Sequence, residues 1–117
     1  TQRELSVYMG PRVWVALEEM GGAAEQPMMG ALCFLRRGHM CCGVSGDRLM
    51  VRLGPAQAAA ALGDPQVALL DSGGGRKANG FVTVAPEAVQ DDASLASWVT
   101  RGVRFADRLP DKPQRRK

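Results

Sequence analysis

His39, Cys41 and Cys42 fall together in "GHMCCGV", with Cys33 upstream in "ALCFL". Imidazole and thiolate are the groups zinc prefers, and neighbouring thiols can also form a redox couple. A structural zinc site needs four ligands held on one side of the backbone. Strand alternation divides these four residues: His39 and Cys41 face one way, Cys33 and Cys42 the other. Two ligands do not make a site, so no metal and no cofactor is expected. The remaining candidates are weaker. Ser45 and Ser72 have no histidine in a motif near them, so a nucleophile triad has no support. "SGGGRK" lacks the spacing of a phosphate-cradling loop and is followed by a strand, so it reads as a flexible connection. Asp91 and Asp92 could be paired carboxylates, but their place before a helical stripe makes them caps. No catalytic residue is assigned, and an enzyme is not expected.

The elements that position these groups follow from the hydropathy pattern. "PRVWVALEEM" (11–20) reads as a helix opened by Pro11 and closed by Gly21-Gly22, with the Gly10-Pro11 pair interrupting any longer helix. "MMGALCFL" (28–35), "HMCCGV" (39–44) and "RLMVRL" (48–53) are short runs split by glycine-containing turns, which predicts a three-stranded antiparallel meander. Pro55 opens an alanine-rich helix that Gly63 closes. "QVALLD" (66–71) and "GFVTVA" (80–85) read as two further strands. After Pro86 a long helix carries Leu95, Trp98, Val99, Gly102, Phe105 (or Ala106) and Leu109 along one side, and Pro110 ends it. Trp14 and Trp98 read as helix anchors. The fold class is α+β: helix, three-stranded antiparallel meander, helix, two strands, helix.

Two-residue turns at Arg37-Gly38 and Gly46-Asp47 would pair Phe34 with Cys41, Cys33 with Cys42 and Cys42 with Val51. One face then holds Met29, Ala31, Cys33, Leu35, Met40, Cys42, Val44, Leu49, Val51 and Leu53, with no polar side chain. Cys33 and Cys42 would be small hydrophobes of the core. As cross-strand neighbours they could sterically form a disulfide, which a reducing compartment disfavours. The other face carries Met28, Gly30, Leu32, Phe34, His39, Cys41, Met50 and Arg52. It is too apolar for open solvent, which makes Leu32, Phe34, His39, Cys41, Met50 and Arg52 a candidate interaction face. A sheet apolar on both faces with only three helices predicts a homodimer.

With 117 residues, 45% of them hydrophobic, the chain suits one domain over residues 1–109. No apolar run is long enough for a membrane span, and "TQRELSVYMG" lacks the layout of a secretory signal. An odd count of three cysteines, two of them adjacent, does not resemble a disulfide framework. A cytoplasmic location is expected. The net charge of +3 arises in residues 110–117, a basic, solvated tail of four Lys/Arg against one Asp; the remaining 109 residues hold eleven of each sign. Tail residues Lys112, Arg115, Arg116 and Lys117, with Arg36 and Arg37, are the candidate nucleic-acid contacts.

"MMGALCFLRRGHMCCGVSGDRLMVRLGP", "GFVTVAPEAVQDDASLASWV" and "ADRLPDKP" together resemble the TfoX N-terminal domain family, named for the Sxy/TfoX competence regulators of bacteria. The resemblance runs from about Met28 to Pro113. It implies a secretion-chaperone-like fold of the order derived above, and it carries no catalytic residues. Two motifs depart from the family pattern. The usual Met-Phe-Gly-Gly appears as Met28-Met29-Gly30-Ala31, and the usual Pro-Met-Lys-Gly as Lys77-Ala78-Asn79-Gly80, so Asn79 replaces the customary lysine. If those positions carry a family binding function, it is altered here. The helical C-terminal domain of full-length competence regulators is expected to be missing. The expectation is therefore a stand-alone, non-enzymatic regulatory domain, homodimeric, with an unknown protein partner. The alternative is a nucleic-acid-associated transcriptional regulator using the tail and Arg36/Arg37.

Overall fold

A computed structural model describes the backbone of residues 2–28, 31–73 and 76–110, and the side chains of 9–27, 31–70 and 80–110. Helix α1 (Gln2–Glu18) leads into β1 (Ala24–Met28), β2 (Ala31–Arg36), β3 (His39–Ser45) and β4 (Arg48–Arg52). Helix α2 (Pro55–Ala61) is followed by β5 (Val67–Gly73) and β6 (Arg76–Val84). A 3-10 turn at Pro86–Val89 then precedes α3 (Asp92–Arg108). The described strands form one antiparallel sheet in the order β1-β2-β3-β4-β6-β5. The chain is α+β, with one strand more than the sequence pattern predicts.

Two rows of paired residues cross the sheet on the face that α1 and α3 cover. One runs Phe34, Cys42, Val51, Val82, Leu69; the other runs Leu32, Val44, Leu49, Val84, Val67. Seven of these ten have no exposed surface. Burying a valine or leucine stabilises the fold by ~1.5–3 kcal/mol, so these rows are the main driving force for the helices to dock. Val13 and Leu17 enter from α1, and Leu95, Val99, Val103 and Ala106 from α3. Trp14 of α1 stacks on Phe34 with ring centroids 6.0 Å apart, anchoring α1 as expected.

Four features differ from the sequence-based reading. Strand β1 is absent from it, because "AEQPM" holds Pro27 and Glu25 and does not alternate; it forms as an edge strand, where proline is tolerated. Helix α1 runs straight through Gly10-Pro11 and is not broken there. Strands β5 and β6 extend into the segment read as a loop, with register irregularities at Leu69/Asp71 and Asp71/Gly73. The glycines 74–75 lie outside the described residues.

The fourth difference changes the faces of the meander. The turn at Arg37-Gly38 is as predicted, with φ of 52° and 81° and Leu35 opposite Met40. Between Leu35 and Phe34 the register shifts, so that Phe34 faces Cys42 and Cys41 is the extra residue of a bulge. Cys33 therefore pairs with Gly43, not Cys42, and lies on the opposite face in a row with Met50 and Thr83. The predicted Cys33–Cys42 neighbourhood is overturned, and with it the sterically conceivable disulfide. All three cysteines are free and buried.

Candidate functional site

Of the residues that first suggested chemistry, His39 reaches the C-terminal end of α3, while the three cysteines are buried elsewhere. The β2–β3 turn presents Arg36, Arg37 and His39 to that end. Arg37 donates to the carbonyls of Ala106, Asp107 and Leu109 at 2.8–3.1 Å. His39 Nε2 donates to the Pro110 carbonyl at 2.8 Å, and its ring is 9% exposed. Arg36 bridges both carboxylate oxygens of Asp107 at 2.9 and 3.0 Å, and also donates to the carbonyls of Met20 and Gly22. The last carbonyls of a helix have no internal donors and carry partial negative charge, so two guanidinium groups and an imidazole N–H satisfy them. The turn is a cap for α3 and a tie to the end of α1. Arg36 holds the Asp107 carboxyl below the usual carboxylate range, chiefly through the side-chain hydrogen bond.

This cap depends on how closely α3 sits on the sheet. Gly102 lies directly over the bulge: a Cβ there would collide with the Cys41 carbonyl and come within 3.1 Å of Val51 Cγ1. Glycine is the residue that allows this approach. The bulge also turns Cys41 into the core, beside Cys42, with the two sulfurs 3.8 Å apart and the Cys41 thiol 3.4 Å from the Phe34 carbonyl. Hydrogen bonding to Cys41 and burial push the Cys42 thiol well up. The hydrogen bond between the two thiols, opposed by burial and aided by Arg36, draws Cys41 below its usual value. Burial raises Cys33. Cys41 and Cys42 have no exposed surface and Cys33 has 3%. Among the described residues no three His, Cys, Asp or Glu side chains group as metal ligands.

The candidate interaction face does not form a surface. Phe34 and Cys41 have no exposure and lie under the helices, while Met50, 4% exposed, lies over Gly43 on the far side of the sheet. His39 is in the cap, Leu32 packs half-buried against Gly10 of α1, and Arg52 stands half-buried between two aromatic rings. The physical reason is the bulge, which exchanges the faces of everything in β2 before Leu35. Arg36 and Arg37, read as nucleic-acid contacts, are directed at Asp107 and main-chain carbonyls. Lys112, Arg115, Arg116 and Lys117 lie outside the described residues, as do Met29, Gly30 and the side chains of Met28, Ser72, Lys77 and Asn79. An open groove passes between Gly21–Ala24 and the turn Arg36–Gly38, with Asp107 at its edge. Among the described residues the ionisable groups that line it are Arg36, Arg37 and Asp107 of the cap.

The model of the TfoX N-terminal domain matches residues 16–106. The chain belongs to the TfoX N-terminal domain family. No curated protein and no solved structure matches it. In this TfoX N-terminal domain the matched segment contains the whole turn, the bulge and Gly102, and stops short of Pro110, which accepts from His39. The family assignment thus covers the cap's donors, the Met20 and Gly22 acceptors at the end of α1 and the Ala106 carbonyl, while Asp107, Leu109 and Pro110 lie beyond it.

Sequence reasoning missed a second set of charges. Arg101, Arg104 and Arg108 fall at positions i, i+3 and i+7 of α3, away from the stripe that faces the core. Arg101 lies 4.5 Å over the Trp98 ring and Arg108 5.9 Å from the Phe105 centroid. Arg52 lies 5.5 Å from that same centroid and 5.2 Å from that of Phe81. The helical spacing was the available signal, hidden because the body of the chain is neutral when charges are only counted.

Proposed function

We propose that this chain is a non-enzymatic regulatory domain of the cytoplasm that works by contact and pairs with a second copy of itself. What supports the reading is the use of Arg36, Arg37 and His39: their polar groups are committed to carbonyls that follow α1 and end α3, and to the Asp107 carboxylate. No described helix is long and apolar enough to cross a membrane. The family relationship is the basis for likeness to competence regulators and for a secretion-chaperone-like architecture. The apolar second face that first suggested a dimer is replaced by a different argument, from the sheet edges. On β1 the edge is guarded by Glu25 and Pro27, whereas β5 opens with the uncharged run Val67-Ala68-Leu69-Leu70 before its one charged residue, Asp71. Antiparallel pairing of two β5 edges would continue the sheet across a two-fold axis. Light scattering tests this: a mass of twice 12.5 kDa is expected, returning to the single-chain mass in Ala68→Lys, which places a charge on the exposed edge. A single-chain mass at every concentration removes the paired form.

A further inference from the structure

We infer that the outer side of α3, with Arg52 beside it, binds the phosphate backbone of double-stranded DNA, a partner assignment that rests on the contact reading above. Helix α3 has two acids and three arginines of its own. Both acids are taken by arginines from elsewhere: Asp92 by Arg12 at 3.2 Å and Asp107 by Arg36 at 2.9 Å. Arg101, Arg104 and Arg108 are left with no carboxylate among the described residues, and Arg52 likewise. Four arginines without a carboxylate partner among the described residues call for an anionic partner. Arginines ranged along a helix are the electrostatic footprint of a nucleic-acid binder.

The choice among polyanions follows from the rings. Trp98, Phe105 and Phe81 each have a guanidinium over them, so they are not open platforms for the unstacked bases of a single strand. Stacking occupies the flat side of a guanidinium and leaves its N–H edge, whose geometry suits phosphate oxygens. The strip has the regular spacing of one helix, Arg101, Arg104 and Arg108 on successive turns, as backbone contacts to a duplex require. That extended run of charge matches a continuous phosphate chain better than a single acidic peptide.

Fluorescence anisotropy with a labelled 20-base-pair duplex and the full chain tests this across 50–200 mM salt. Each phosphate contact contributes about 0.9 to the slope of log affinity against log salt, so R101Q/R104Q/R108Q should lower the slope by about 2.7. Over that salt range the unsubstituted chain should weaken about 40-fold more than the variant. R101K/R104K/R108K should retain binding, and a chain ending at Pro110 should show the same difference on glutamine substitution. No binding at 50 mM salt, an unchanged slope in the glutamine variant, tighter binding of a single strand, or equal competition by polyglutamate would overturn the assignment. Light scattering on the same samples separates the two readings: a paired chain that ignores DNA defeats the strip alone, and a single chain that binds DNA defeats only the pairing.

Discussion

Arg12, Arg36 and Arg37, which bond the two ends of α3, and Arg52, Arg101, Arg104 and Arg108, which do not, are the same residue type in opposite circumstances. In the first group Arg12 and Arg37 reach main-chain carbonyls across 69 or more residues of sequence, Arg36 reaches carbonyls 14 and 16 residues away, and Arg12 and Arg36 each hold a carboxylate of α3. In the second group the described partners are aromatic rings, and Arg104 has none. Charge location, and not charge count, separates a structural arginine from a surface one. The first group should therefore govern stability and the second should leave it nearly untouched.

The largest test removes the geometry that brings the first group to its carbonyls. Gly102→Val drives a side chain into the Cys41 carbonyl and lifts α3 from the bulge. A loss of about 3 kcal/mol or more is expected in urea denaturation, because overpacking and detachment of the cap act together. Direct removal of the donors is smaller. Arg36→Ala should cost about 2 kcal/mol, since it leaves Asp107 and two carbonyls without their donor, and Arg37→Ala about 1–2 kcal/mol. Values near zero for both would erase the distinction between the two groups.

A pH test sharpens it. The Asp107 carboxyl titrates lower in the folded chain than in the unfolded one, whose value is about 3.9. Its contribution is therefore present above that value and is lost as pH falls through the folded value. Asp107 is 40% exposed at the side chain, and screening holds the contribution below about 1 kcal/mol. Asp107→Asn should be less stable than the parent at pH 7 and should lose part of the fall in stability below about pH 4. A parallel acid profile in both chains would show that the Arg36 pair contributes nothing. The smallest effect belongs to the second group: R101Q/R104Q/R108Q should change stability by no more than about 0.5 kcal/mol, read from the same urea midpoint.

Much of the fold is legible in local residue choices. Asp91 caps α3 by accepting from the Ser94 N–H at 2.9 Å, Pro55 opens α2, and the Arg37-Gly38 turn has the positive φ values that a two-residue hairpin needs. The bulge is not legible, for a specific reason. Register is read from alternation of polar and apolar side chains, and "MCCGV" is apolar at every position, so a one-residue shift carries no visible penalty. The interaction face inferred from an unbroken register failed for that reason. Strand β1 was missed because its stability comes from pairing with β2 and not from its own composition. The cap was missed because its donors and acceptors are some 70 residues apart, and no local pattern links a turn to a distant helix end.

By itself, the order of residues determined the α+β class, the family, the start of α2 at Pro55 and the Asp91 cap of α3, and the neutrality of the body against a basic end. These depend on neighbours within a few residues, where backbone geometry and side-chain type act directly. Tertiary structure alone decided which thiols share a side of the sheet, which arginines meet carbonyls, and which are left facing outward. Those outcomes turn on one extra residue at Cys41 and on the absence of a side chain at Gly102, contacts made between segments that are brought together only when α3 docks.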